Sequence, residues 1–325
     1  MIQVKRLGHA TFTTTDIEKQ IDYWCGVIGL SIVDKGKDHC ILSTRMGQEC
    51  INLERATASG HLRRLAFQVA PGSDLGELAA KLQTLGVKSE RRKDISPGVS
   101  DAIAFHDPKG TLLEIYADFQ FAPETDNEVG ISPVKFGHVA YRVNDPQKIT
   151  KFYCDVLGFR VSDWIGDHFS FLRCGVDHHA VNFVRFDDER LHHIAFELRD
   201  WGAIHDACDY LTKKKIQLVW GPLRHTVGHN IAAYHRNSDE IRVELFAEMD
   251  LMKDEELGYW EPRPWHEERP LRPKVWDKKT WRSSWGFGTF GTIPDHPYVP
   301  DEAEIARLNQ QPRDLDLATG RPLER

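Results

Sequence analysis

Gly137-His138-Val139-Ala140-Tyr141 repeats the pattern of Gly8-His9-Ala10-Thr11-Phe12, 129 residues earlier. The same spacing relates Ile194-Ala195-Phe196 to Leu65-Ala66-Phe67, and a spacing of 130 relates Val243-Glu244-Leu245-Phe246 to Leu113-Glu114-Ile115-Tyr116. Matches at one near-constant offset mean that the chain is written twice. Working outward, 16–30 reads as a helix with Asp16 as cap and Gly29 as stop, and 145–159 repeats it, with Pro146 in the first turn and Gly158 at the end. A second amphipathic helix over 74–86 has its counterpart over 201–215. In the first copy the runs 7–13, 39–43, 50–53, 64–69, 101–106 and 111–116 alternate apolar and polar side chains, as half-buried strands do.

The unit is therefore one strand, one helix and about three strands. It occurs four times, near 5–57, 60–120, 134–186 and 190–248. An α+β fold follows, with four βαβββ modules in two domains. The first domain is 1–120, a polar, proline-bounded linker is 121–133, and the second domain is 134–250. Two modules make a half-open sheet whose concave face can hold a ligand. An extension over 251–325 carries Trp260, Trp265, Trp276, Trp281 and Trp285, five of the nine tryptophans, and so much aromatic surface is expected to pack on the body or on another subunit.

Composition narrows the function. The 325 residues suit about two domains, and 41% hydrophobic with 28% charged residues describes a globular protein with a real core. A net charge of −7 gives no basic surface for nucleic acid. No apolar run approaches the roughly 18 residues of a membrane span, and with a strand-like run already at 2–7 no secretory signal is expected. Six cysteines (25, 40, 50, 154, 174, 208) lack zinc-site or disulfide spacing, so a reduced, cytoplasmic setting is expected.

The repeated positions hold His138, His193 and Glu244 in the second copy, and His9, Arg64 and Glu114 in the first. The gaps are 55 and 51 residues in the second copy, against 55 and 50 in the first. Equivalent positions of paired modules face one another across the cavity. Two imidazoles and one carboxylate there suit a divalent ion with open positions, Fe(II) first and Mn(II) as its substitute. His193 is chosen over His192 because it aligns with His138; alternation would turn His192 to the opposite face of its strand. Arg64 cannot coordinate a cation, and pairing with Glu114 is the expectation, so the first half is read as structural.

Gly137-His138-Val139, Leu191-His192-His193-Ile194-Ala195-Phe196 and the run Arg224-His225, Tyr234, Arg242-Val243-Glu244 resemble the type I extradiol ring-cleavage dioxygenases of the vicinal oxygen chelate superfamily, nearest the catechol 2,3-dioxygenase and homoprotocatechuate 2,3-dioxygenase branch. The resemblance covers roughly residues 1–250. It implies His179 as acid–base group and His225 and Tyr234 as groups contacting the substrate oxygens. Next to His179 stands a rival, His178; the family spacing selects His179, and alternation would send only one of the pair into the cavity. The resemblance also implies a catecholic substrate, O2 as co-substrate and a homo-oligomer, a tetramer as the particular expectation. The first copy keeps the family turn as Asp107-Pro108-Lys109-Gly110, whereas the second has Asn237-Ser238-Asp239-Glu240. Trp164, Phe171, Phe183 and Phe246 are candidates for setting pocket size, and Arg224 and Arg242 for meeting a substrate carboxylate. A glyoxalase- or isomerase-type enzyme and a non-catalytic ligand-binding protein of the same superfamily are the competing readings.

Overall fold

A computed structural model of the chain describes residues 2–125, 129–254, 259–260, 273–278 and 283–286. The first half runs β1 (Val4–Thr14), α1 (Ile17–Tyr23), β2 (Ser31–Lys35), β3 (His39–Ser43), β4 (Glu49–Arg55), then β5 (Leu62–Val69), α2 (Leu75–Thr84), β6 (Glu90–Ser96), β7 (Val99–His106) and β8 (Leu112–Tyr116). The second half repeats the order: β9 (Lys135–Val143), α3 (Pro146–Leu157), β10 (Arg160–Ile165), β11 (Phe169–Arg173), β12 (Val181–Arg185), then β13 (Arg190–Glu197), α4 (Trp201–Lys213), β14 (Leu218–His225), β15 (Ile231–Arg236) and β16 (Arg242–Ala247). In the extension lie β17 (Met252–Asp254), β18 (Tyr259–Trp260), β19 (Lys274–Trp276) and β20 (Ser283–Gly286).

Each module closes by one rule. Its first strand pairs parallel with its last, β1 with β4 and β5 with β8, and the helix makes the crossover. Two modules then join antiparallel through their first strands, β1 with β5 and β9 with β13. The results are an eight-stranded sheet, β2-β3-β4-β1-β5-β8-β7-β6, and its ten-stranded counterpart, β19-β10-β11-β12-β9-β13-β16-β15-β14-β20. The extension therefore adds one strand at each edge of the second sheet. Its Trp276 packs on the body beside Phe171, whereas Trp285 meets Trp201 edge-on and stays 46% exposed. Trp265 and Trp281 lie outside the described residues.

Asp16 and Asp145 cap their helices as read, and Asp74 and Asp200 do the same for the other two: each accepts a bond from a backbone N–H of the first turn, a cap contributing about 1 kcal/mol. Gly29 and Gly158 stop equivalent helices in the left-handed conformation (φ 87° and 74°). The altered turn keeps its chemistry. Asp107 Oδ1 accepts from the N–H groups of Lys109 and Thr111; Asn237 Oδ1 accepts from those of Asp239 and Ile241. An amide oxygen can replace a carboxylate there because the turn needs only an acceptor.

One core cluster runs through both halves. Reciprocal bonds tie them: Tyr23 on α1 reaches His235 Nε2 (2.7 Å), and the Tyr153 hydroxyl on α3 donates to Asp107 Oδ2 (3.1 Å). Among the described residues no helix is long and apolar enough to cross a membrane.

Candidate metal centre

The two central strands and their parallel neighbour carry the ligand positions: His138 on β9, His193 on β13 and Glu244 on β16. The repeated Gly-His motif has a packing cause. A Cβ on Gly137 would lie 2.4 Å from Cζ of Phe246, and one on Gly8 would lie 2.6 Å from the Tyr116 hydroxyl. The glycine admits the aromatic ring of the last strand, and in the second half that ring supports His138, with centroids 5.1 Å apart.

His138 Nε2 and His193 Nε2 are each 3.0 Å from Glu244 Oε2 and 3.1 Å from one another. An ion about 2.1 Å from each donor needs donors roughly 3.0 Å apart on an octahedral face, and roughly 3.4 Å apart in a tetrahedron. The triangle therefore fits three facial ligands of an octahedral ion, with the opposite face open to the cavity. Charge states fit too. Burial opposes ionisation of Glu244, but the two imidazoles hold its carboxyl well below the usual range. Burial pushes His193 down to about 4, leaving a neutral imidazole with a lone pair for a metal. Two supports were not read from the sequence. The Asn230 side-chain amide donates to Glu244 Oε1 (3.0 Å), and His193 Nδ1 meets His192 Nδ1 (2.6 Å), which orients the ring.

His179, His225 and Tyr234 line the same cavity, with Ile165, Phe169, Phe171, Val227 and Trp220 as its apolar wall; the space with its mouth is about 630 Å³. The His179 ring stands 4.4 Å from that of His138. On the other flank His225 Nε2 is 2.7 Å from the Tyr234 hydroxyl, and Trp220 stacks on Tyr234. Burial, then the neighbouring His138 and His178, push His179 well below the ordinary histidine value.

Several expectations need correction. His192 does not turn away: a break in the β9–β13 register between Leu191 and His193 lets both rings line the cavity. Alternation cannot separate His178 from His179 either, since both lie in the irregular segment between β11 and β12 and both are buried. His179 lines the cavity and His178 stands behind it. Of the four pocket-size candidates only Phe171 is in the wall; Phe183 belongs to the core, Phe246 lies behind His138, and Trp164 is not among the lining residues. Arg224 is held by the His229 carbonyl and Glu248, whereas Arg242 does line the cavity.

In the first half Arg64 Nη2 donates to Glu54 while its Nε lies 3.4 Å from Glu114 Oε1, and Arg92 adds a second guanidinium at 3.2 Å. His9 Nε2 is 3.7 Å from Glu114 Oε2. Arginine stands at the register position that His193 fills in the second half. Among the described residues, His138, His193 and Glu244 form the metal-competent cluster.

Paired βαβββ modules with two histidines and a glutamate converging under one concave sheet define a class of metal-dependent enzyme folds. Residues 6–115 and 135–245 match the Glyoxalase/Bleomycin resistance protein/Dioxygenase superfamily, and the chain belongs to it. It is 26% identical over 301 residues to the manganese-dependent 2,3-dihydroxybiphenyl 1,2-dioxygenase of Geobacillus genomosp. 3, covering 84% of this chain and 94% of the relative. Among solved structures it resembles the Mn(II)-bound glyoxalase from Novosphingobium aromaticivorans (TM-score 0.78, 25% identity, 92% and 96% of the chains). It also shares the fold of homoprotocatechuate 2,3-dioxygenase from Brevibacterium fuscum (TM-score 0.74, 22% identity, 86% and 88%).

Proposed function

We propose that the protein is an extradiol dioxygenase: it opens a catecholic ring at the carbon–carbon bond beside the diol, and both atoms of O2 enter the product. The observation that carries this is the facial His138–His193–Glu244 triangle, set beneath a cavity flanked by His179 on one side and the His225–Tyr234 pair on the other. His138, His193 and Glu244 would hold Fe(II), with Mn(II) as the substitute. When bound, the ion supplies Lewis acidity towards the two hydroxyls and a path for electrons from ring to O2. Tyr234 and His225 orient the diol and take up one of its protons along their 2.7 Å contact. On the opposite flank His179 takes up the proton of the second hydroxyl at Nε2 and returns it as the oxygen–oxygen bond breaks. Ile165, Phe169, Phe171, Val227 and Trp220 keep water from the ring and favour a catechol with an apolar substituent.

The isomerase reading draws support from the glyoxalase neighbour. It calls for a carboxylate base facing the substrate, and the sole carboxylate among the described lining residues is Glu244, already a corner of the triangle. The ring-cleavage reading is therefore preferred. The six cysteines, all unpaired, support a reduced cytoplasmic location; homo-oligomeric assembly is carried by the family resemblance, and light scattering tests it. The test of function is anaerobic Fe(II) or Mn(II) loading, then a panel of catechols and air. A yellow ring-opened product with stoichiometric O2 uptake, lost in His193→Ala, is expected. A metal-loaded protein that consumes no O2 with any catechol would overturn the proposal.

A further inference from the structure

Behind His179 runs a chain of buried polar contacts that ends in the C-terminal extension. His179 Nδ1 is 2.9 Å from His178 Nδ1. His178, with no exposed surface, turns its Nε2 to Asp163 Oδ2 at 3.1 Å. The same oxygen accepts from the indole N–H of Trp276 (3.0 Å), and Asp163 Oδ1 accepts from the backbone N–H of Lys274 (2.9 Å). Asp163 lies on β10, with which β19 pairs in parallel, so strand addition delivers both donors. The backbone N–H of His178 donates to the Asp250 carbonyl (2.9 Å), which fixes the segment that holds the ring.

The order of donors follows from chemistry. An ionised carboxylate only accepts, so a neutral His178 carries its proton on Nε2 and offers a lone pair at Nδ1. His179 must then carry its proton on Nδ1, and its Nε2 is the nitrogen left for the cavity. With the opposite tautomer, His179 would turn a fixed N–H to the cavity and could not receive a proton there. A carboxylate that orients one imidazole directly is a familiar device; here a second imidazole stands between carboxylate and working ring.

We propose that Asp163 and His178 are positioning residues that set the tautomer and orientation of His179, and that Trp276 makes the C-terminal extension part of this device. The proposal rests on the ring-cleavage reading for the task of His179, but the tautomer itself is open to measurement without substrate or metal. Long-range ¹H–¹⁵N spectra of ¹⁵N-histidine-labelled wild-type protein, assigned with His178→Gln and His179→Gln, should show His178 protonated on Nε2 and His179 on Nδ1. The reverse pair of tautomers would overturn the proposal. Asp163→Asn puts an amide where only acceptors fit, and should shift the His179 pattern and lower kcat by about 100-fold, with KM and metal content unchanged; Trp276→Phe should lower kcat by about tenfold. Loss of metal in parallel with activity would mean a merely structural role and would overturn it, as would unchanged kcat in both variants. If the wild-type tautomers are as stated but no catechol is cleaved, the reading of function fails while the positioning device stands.

Discussion

Replacing Gly137 by alanine should damage the metal site from behind. The added Cβ would stand 2.4 Å from Phe246 Cζ and 2.5 Å from Cε1, so the ring has to withdraw by about 1 Å to reach ordinary contact. Phe246 is buried among Ala195, Leu223, Ala232, Tyr234 and Met249, which leaves it little room. Overpacking of this kind costs about 1–3 kcal/mol, roughly a 5- to 150-fold rise in the unfolded-to-folded ratio. The ring also supports His138, so the displacement reaches the ligand triangle. Gly8→Ala is the internal control, because its Cβ would meet the Tyr116 ring (2.6 Å to the hydroxyl) in the half that has no triangle. Urea unfolding of the metal-free proteins should show both variants destabilised. Calorimetric Mn(II) titration should show weakened binding in Gly137→Ala alone. Wild-type stability in Gly137→Ala, or equal loss of metal affinity in both variants, would refute the reasoning.

Other perturbations separate the two halves and test the charge states. Glu244→Gln should abolish metal binding while Glu114→Gln leaves one ion per chain, as measured by metal analysis after gel filtration. Metal at 100 times its dissociation constant should stabilise the wild type by about 2.7 kcal/mol and Glu244→Gln not at all, read from thermal melts. Burial pushes His235 down to about 3, below the ordinary 6.5 of an unfolded chain. The unfolded state then binds the extra proton between those values. This contribution to stability is complete above about pH 6.5 and is lost as pH falls towards 3, by up to about 1.4 kcal/mol per unit. His235→Gln should flatten that part of the urea-midpoint profile, and an unaltered profile would contradict the assignment. Phe171→Ala should raise kcat/KM for a bulky alkyl or aryl catechol relative to catechol itself, because Phe171 forms part of the wall; an unchanged ratio would place the substituent elsewhere.

The duplication was legible because it is written in residues that have no freedom: the glycine that admits a ring, the ligand beside it, and the apolar strand that follows. Helices α1 and α3 were legible through their caps, α2 and α4 through their amphipathic pattern and the repeat. β2 and β6 were not among the strands read from the sequence. Their stretches, Ser31-Ile32-Val33-Asp34-Lys35 and Glu90-Arg91-Arg92-Lys93-Asp94-Ile95-Ser96, are edge strands with polar faces, which show little of the alternation that burial imposes. Side-chain direction was the other weak point. The period-2 rule fails at a register break, as at His192, and outside strands, as at His178 and His179. Asn230 and Asp163 carry no motif of their own, and only the three-dimensional pairing of their strands shows what they hold.

The two halves also show two answers to one electrostatic problem. Each buries a glutamate on the last strand of its second module, 1% exposed in both cases. Isolated, such a charge would be strongly destabilising. In the first half Arg64 and Arg92, which also pair with Glu54 and Glu90, place fixed positive charge beside it; although burial opposes ionisation, His9 and these arginines hold Glu114 below its ordinary value. In the second half the balancing groups are two imidazoles and the Asn230 amide, none of which is a fixed cation. Guanidinium at the middle position yields a finished structural ion pair; imidazole there leaves a carboxylate whose attraction for positive charge is still available to a divalent ion. Arginine in place of histidine at the middle position, with Arg92 beside it, accounts for the lack of a second ligand triangle among the described residues of the first half.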